Sequence, residues 1–132
     1  MTEKVLAYSL VGLGSALGGM GRFWLSDAVT QRVGGAFPWG TILVNVSGSF
    51  VIGLLAALAV PEGRVLLSPS AQWLLLTGVL GGYTTFSSFS LQTLNLAQDG
   101  RWLHASANVV GSLGCCLAAV WLGHLTGQWA NR

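Results

Sequence analysis

The chain has 132 residues, of which 52% are hydrophobic and 8% are charged, and its formal net charge is +2. Soluble domains carry about 25% charged residues, so this composition excludes an ordinary soluble domain. Four long segments contain no Lys, Arg, Asp or Glu, namely residues 5–21, 33–61, 65–98 and 102–131. These segments indicate a membrane protein, and we expect no nucleic-acid partner.

Each uncharged segment is long enough for a membrane-spanning helix, which needs about 20 apolar residues. We predict an all-α protein with four transmembrane helices, at residues 5–25, 39–60, 70–98 and 103–129, that form one domain over residues 1–132. Five of the six tryptophans lie near the predicted helix ends, where such side chains favour the membrane interface. A cleaved signal peptide is the alternative for the first segment, but Arg22 directly follows it and three further spans come after it.

Small residues mark the first two predicted helices. The first contains Gly14, Gly18 and Gly21, and the second contains Gly48 and Gly53. Helices in lipid associate largely by close backbone approach at such residues. We therefore predict close helix packing here and assign these glycines no functional role.

The second and fourth predicted helices each carry polar residues on one face. Thr41, Asn45 and Ser49 are spaced by four residues, and so are His104, Asn108 and Ser112. An asparagine within a span is costly unless its amide is hydrogen bonded. We therefore expect Asn45 and Asn108 each to have a partner. The adjacent Cys115 and Cys116 have no spacing typical of a disulfide or metal site.

The third segment is the least typical of a membrane helix. Gly81 and Gly82 interrupt it, and hydroxyl, amide and phenylalanine side chains follow. An unbroken helix over residues 70–98 would be about 40 Å long, which exceeds a bilayer core of about 30 Å. We predict that the helix is broken in mid-membrane at Gly81-Gly82, which would expose carbonyls that commonly hold a cation.

After the glycines, helical periodicity separates polar from aromatic side chains. One stripe contains Thr85, Ser88, Gln92 and Asn95, and the neighbouring stripe contains Phe86, Phe89 and Thr93. Hydroxyl and amide groups solvate a small ion without holding it tightly, and the edge of a phenyl ring is positive. The pattern favours an ion path, and the alternative is that these side chains only pack or bond to neighbouring backbone.

The charges predict how the helices are oriented in the membrane. Four spans place Lys4, Arg64 and Arg132 on one side and Arg22, Arg32 and Arg101 on the other. Orientation follows the excess of Lys and Arg in cytoplasmic loops, and three against three gives no excess. We predict dual topology and an antiparallel homodimer about a two-fold axis in the membrane plane. The alternative is that the equal count is a coincidence.

The motifs G-V-L-G-G-Y-T-T-F-S-S-F-S and P-W-G-T-I-L-V-N-V-S-G-S-F resemble the Fluc (CrcB) family of fluoride channels. The glycine-rich first helix ending in Gly21-Arg22-Phe23 and the Gly111-Ser112 pair extend the resemblance over the whole chain. The resemblance implies passive fluoride efflux through two pores of an antiparallel homodimer, in the inner (plasma) membrane of a bacterium. It also implies a structural sodium ion at the dimer centre, which is not transported.

The resemblance also implies roles for individual residues. The fluoride pore would contain Phe86, Phe89, Asn45, Thr85, Ser88, Ser112, Thr41 and Arg22. The main-chain carbonyls of Gly81 and Thr84 would hold the sodium ion. The chain departs from the family at Gln92, where many members have glutamate, and at Tyr83, where a smaller apolar residue is common.

Two other functions fit a small four-helix membrane protein. A dual-topology multidrug exporter needs a carboxylate within the membrane, whereas Glu3, Asp27, Glu62 and Asp99 all lie outside the predicted spans. A non-conducting membrane assembly subunit would not need the polar and aromatic stripes of the third helix. We expect no enzymatic activity, because no nucleophile, base or metal-binding cluster is evident.

Overall fold

The structure is a computed structural model that describes residues 2–59 and 67–132. Helix α1 is Thr2–Val33 and α2 is Trp39–Leu58. The third region, α3, consists of Pro69–Gln72, a π-helical stretch Trp73–Leu80 and Gly81–Tyr83. Helix α4 is Phe86–Gln98 and α5 is Trp102–Ala130. No strand occurs among the described residues.

The observed helices differ from the predicted ones mainly in α1, which continues beyond residue 25 to Val33. The predicted end of the second helix at Val60 lies outside the described residues. Three helical regions in the described ranges are long and apolar enough to span a membrane: Trp39–Leu58, Pro69–Gln98 and Trp102–Ala130. These regions indicate a multi-pass membrane protein. In α1, glycines lower the hydropathy of the apolar stretch, and Arg22 and Asp27 follow it. That α1 spans the membrane stays a prediction.

Local sequence signals explain several helix ends. Gly34 directly follows α1 with φ +84°, and Gly100 separates α4 from α5 with φ +74°, values that side chains other than glycine rarely adopt. Pro69 occupies the first turn of α3, where its missing N–H leaves no bond unmade. The hydroxyl of Ser68 accepts a hydrogen bond from the N–H of Ala71 at 3.3 Å and so caps this helix.

Glycines allow close helix contacts, as the sequence predicted for Gly14 and Gly53, whereas a Cβ at Gly21 would make only an ordinary contact, 3.7 Å from the Tyr83 ring. Gly53 of α2 lies against the carbonyl of Val120, and Gly123 of α5 lies against the carbonyl of Phe50. Between α1 and α3, a Cβ at Gly14 would lie 2.8 Å from the Cα of Gly78. Any side chain at these positions would push two helix backbones apart. Close approach therefore pairs α2 with α5 and α1 with α3.

The helical pattern stops at Thr84 and Thr85, whose backbones are extended (ψ 156° and 122°). The sequence placed the interruption at Gly81-Gly82, and that position is wrong, because both glycines are helical. Gly82 serves helix packing instead, since a Cβ there would lie 2.7 Å from the Cα of Ser15. That the interruption lies at mid-membrane stays a prediction.

Candidate functional site

Two cavities meet at the extended residues, and every residue predicted for the site lines one of them. The aromatic cavity, of about 310 Å³, is lined by Phe86, Phe89, Asn45, Gly81, Thr84, Thr85 and Ser112, together with Ser49, Cys116 and apolar residues. The polar cavity, of about 240 Å³, is lined by Arg22, Thr41, Thr85 and Ser88, together with Ser26 and Gln92. Thr85 belongs to both walls, so the extended segment separates the two cavities.

The two phenylalanines lie side by side on the first turn of α4. Their ring centroids are 5.1 Å apart and their planes are tilted by 48°. Phe89 is buried, with 8% of its surface exposed, whereas Phe86 is 70% exposed. Because the rings are tilted, they do not stack face to face, and both residues line the aromatic cavity.

Asn45 binds the extended backbone through both atoms of its amide. Its Nδ2 donates to the carbonyl of Thr85 at 2.9 Å, and its Oδ1 accepts from the N–H of Thr85 at 2.8 Å. The expected partner of Asn45 is therefore the backbone of Thr85, 40 positions later in the chain, through its N–H and its carbonyl. One N–H of this amide has no hydrogen-bond partner among the described residues, and Asn45 lines the aromatic cavity.

The hydroxyl of Thr85 caps helix α4. It accepts a hydrogen bond from the N–H of Ser88 at 3.2 Å and lies 3.2 Å from the hydroxyl of Ser88. A threonine just before a helix that bonds the third N–H is a common N-cap. The N-terminus of α4, which is the positive end of the helix dipole, therefore lies at the cavities. Thr85 and Ser88, which the sequence predicts to solvate an ion, are at this end.

These two side chains also free the carbonyls predicted to hold sodium. In a continuous helix the N–H of Thr85 would bond the carbonyl of Gly81, and the N–H of Ser88 would bond that of Thr84. Here Asn45 takes the first N–H and the Thr85 hydroxyl takes the second. Both carbonyls belong to residues that line the aromatic cavity. Uncharged oxygen ligands suit a hard cation such as sodium, so the residues present fit this ion.

No other cluster in the described ranges resembles a metal site, because no group of three or more His, Cys, Asp or Glu side chains comes together there. A cation bound near the interruption would therefore depend on main-chain oxygen.

The polar cavity contains two buried polar atoms without a protein partner. These atoms are Nε of Arg22, a donor, and Oε1 of Gln92, an acceptor. No carboxylate lines this cavity among the described residues. The guanidinium charge of Arg22 is therefore not neutralised by a cavity wall, which favours entry of an anion.

A network of hydrogen bonds that the sequence did not predict joins α5 to the backbone carbonyl of Phe89. Nδ2 of Asn108 donates to the hydroxyl of Thr93 at 2.8 Å, and that hydroxyl donates to the carbonyl of Phe89 at 2.8 Å. Ser112 donates to Oδ1 of Asn108 at 3.1 Å. The expected partner of Asn108 is thus confirmed. The hydroxyl hydrogen of Ser112 is used in this network, so Ser112 offers the cavity its oxygen.

The sequence also missed the contact between Tyr83 and Ser47, whose hydroxyl oxygens are 2.9 Å apart. Tyr83 departs from the smaller apolar residue that is common at this position in the family it resembles, but no motif or periodicity connects it with Ser47, which is 36 positions earlier. His104, to which the sequence assigned no functional role, lies near Phe37 with ring centroids 6.2 Å apart and lines neither cavity.

Comparison with known proteins identifies similar chains along almost the whole length. Residues 9–124 match the family described as "CrcB-like protein, Camphor Resistance (CrcB)". A protein of Opitutus terrae named "Fluoride-specific ion channel FluC" is 58% identical over 124 residues, which cover 94% of each chain. A protein of the same name from Paramagnetospirillum magneticum is 53% identical over 97% of this chain and 100% of its own. One from Methylocella silvestris is 50% identical over 95% of each chain.

Proposed function

The chain belongs to the CrcB-like family, and on that premise we propose that it is a fluoride-selective channel that lowers cytoplasmic fluoride by passive efflux. Its similarity along almost the whole chain to proteins named as fluoride-specific channels carries this proposal. The family is one of channels and not of enzymes. We place this multi-pass protein in the inner (plasma) membrane of a bacterium.

Fluoride would pass from the polar cavity to the aromatic cavity beside Thr85. Arg22 attracts the anion into the polar cavity, where the hydroxyls of Thr41 and Ser88 replace part of its water. Removing water from a small anion is very costly, so several weak donors have to act together. In the aromatic cavity, the anion would meet three kinds of donor. These are the N–H of Asn45 that has no protein partner, the N-terminus of α4 and the edges of Phe86 and Phe89.

The proposed assembly is an antiparallel homodimer with two pores. The near-equal distribution of Lys and Arg supports insertion in both orientations. The 70% exposure of Phe86 supports a second copy, because a ring that lines a pore needs a facing wall. A sodium ion held by the carbonyls of Gly81 and Thr84 from both copies would lie on the two-fold axis and hold the extended segments together.

The two other functions are less well supported. Among the described residues, no carboxylate lines either cavity, so the cavities offer no membrane-embedded acid for proton-coupled export. A subunit that only assembles with others would not need an unneutralised arginine in a polar cavity.

The proposal is tested by fluoride efflux from liposomes that contain the purified protein, with liposomes lacking protein as the control. We expect fluoride to leave down its gradient without a proton gradient, and chloride to stay inside. Chloride is larger, and a narrow path dominated by rings offers it few donors. Comparable chloride and fluoride efflux would contradict fluoride selectivity, and no flux of either ion would favour the assembly subunit.

A further inference from the structure

The ring of Tyr83 fills the space between α1 and α2 directly before the extended segment. A Cβ at Gly48 would lie 3.2 Å from its Cδ1, and a Cβ at Gly21 would lie 3.7 Å from its Cδ2. At the end of the ring, the hydroxyl lies 2.9 Å from that of Ser47, which in turn donates to the carbonyl of Val44 at 3.1 Å. Either of the two hydroxyls could donate in the bond between Tyr83 and Ser47.

Thr84 is consequently held to α2 on both sides. Before it, Tyr83 is bonded to Ser47, and after it, Thr85 is bonded to Asn45. The peptide between Thr84 and Thr85 is planar and trans. Since its N–H points at Asn45, the carbonyl of Thr84 must point the opposite way. The direction of this carbonyl therefore depends on how firmly α2 holds the residues on each side of it.

We propose that the hydrogen bond between Tyr83 and Ser47 is a positioning contact that aims the carbonyl of Thr84 at a bound sodium ion. The inference rests on the proposed sodium site. Tyr83 and Ser47 do not touch the ion or line either cavity. They act by fixing the backbone whose oxygen does. Loss of this bond lets the Thr84 peptide turn, so sodium binds more weakly while the helices stay packed.

The test measures the thermal stability of the purified protein in detergent over a range of sodium concentrations, with choline as the replacing cation. Removal of one hydrogen bond in Tyr83→Phe or Ser47→Ala should raise the sodium concentration at half-maximal stabilisation roughly two- to tenfold. The double variant should show no further shift, because both changes remove the same bond. Tyr8→Phe is the matched control, since Tyr8 is 78% exposed and belongs to the far end of α1.

The outcomes distinguish failure of the positioning role from failure of the sodium site. If the parent protein responds to sodium and the variants respond at the same concentration, the contact is merely structural and the positioning role is wrong. If the variants are less stable than the parent protein by the same amount at every sodium concentration, the positioning role is also wrong. If the parent protein is no more stable in sodium than in choline, the sodium site itself is wrong, and the positioning role is overturned with it.

Discussion

At the scale of single residues, the rings of Phe86 and Phe89 distinguish an ion path from ordinary packing. Isoleucine keeps the apolar bulk of phenylalanine but lacks the positive ring edge. We expect Phe89→Ile and Phe86→Ile each to lower fluoride efflux from liposomes by about tenfold or more, which corresponds to about 1.4 kcal/mol at the transport barrier. The purified variants should remain folded.

Phe50→Ile is the matched control for these variants, because Phe50 is on α2 and lines neither cavity. Its fluoride efflux should stay near that of the parent protein. If the Phe86 and Phe89 variants also conduct at the parent rate, the rings only pack, and polar groups alone carry the ion. Tyrosine is unsuitable as a replacement, because its hydroxyl adds a donor.

At the scale of helices, Asn108 connects α5 to the backbone of α4 behind Phe89. Asn108 is 1% exposed, and its replacement by alanine would leave the buried Ser112 hydroxyl without its acceptor. Hydrogen bonds between membrane helices average about 0.6 kcal/mol, whereas an unpaired buried polar group costs about 1–3 kcal/mol. We therefore expect Asn108→Ala to destabilise the protein by about 1–2 kcal/mol, measured by thermal unfolding in detergent.

Ser106→Ala provides the comparison on the same helix, because Ser106 is exposed. Equal stability of the two variants would mean that the network around Asn108 contributes nothing to the connection between α4 and α5.

At the scale of the whole molecule, the distribution of charge predicts two orientations in one membrane. The structure places Arg22 in a cavity wall, so Arg32, in the last turn of α1, and Arg101 remain as the charges beside the loops on that side. Lys4, Arg64 and Arg132 are the charges on the other side. A difference of one charge is a weak bias. An impermeant reagent should therefore label Ala36→Cys only partially from either side, in a protein whose Cys115 and Cys116 are replaced by alanine.

A charge-biased variant checks this labelling experiment. Gln31→Arg and Gln98→Arg add positive charge to the side of Ala36 and should move the labelled fraction strongly towards one orientation. Complete labelling of the unbiased protein from one side would show that an unrecognised signal fixes its topology.

The sequence alone predicts the membrane class, most of the close glycine contacts and the separation of polar from aromatic residues after residue 84. These features depend on composition and helical periodicity, which are local. Ser88 and Gln92 thus line one cavity while Phe86 and Phe89 line the other, as their spacing indicated. The motif resemblance added the site residues, whose roles stay predictions.

The packing of the helices against one another determines where the third helix is interrupted and which hydrogen bonds keep Thr84 and Thr85 extended. Gly82 looked like a helix breaker, yet α1 packs so closely against it that only glycine fits there. Thr84 and Thr85 looked helical, yet Asn45 of α2 takes the N–H that would have continued the helix. That competition cannot be read from the sequence around Thr85, because the competing acceptor is 40 positions away and reaches Thr85 only when the helices pack.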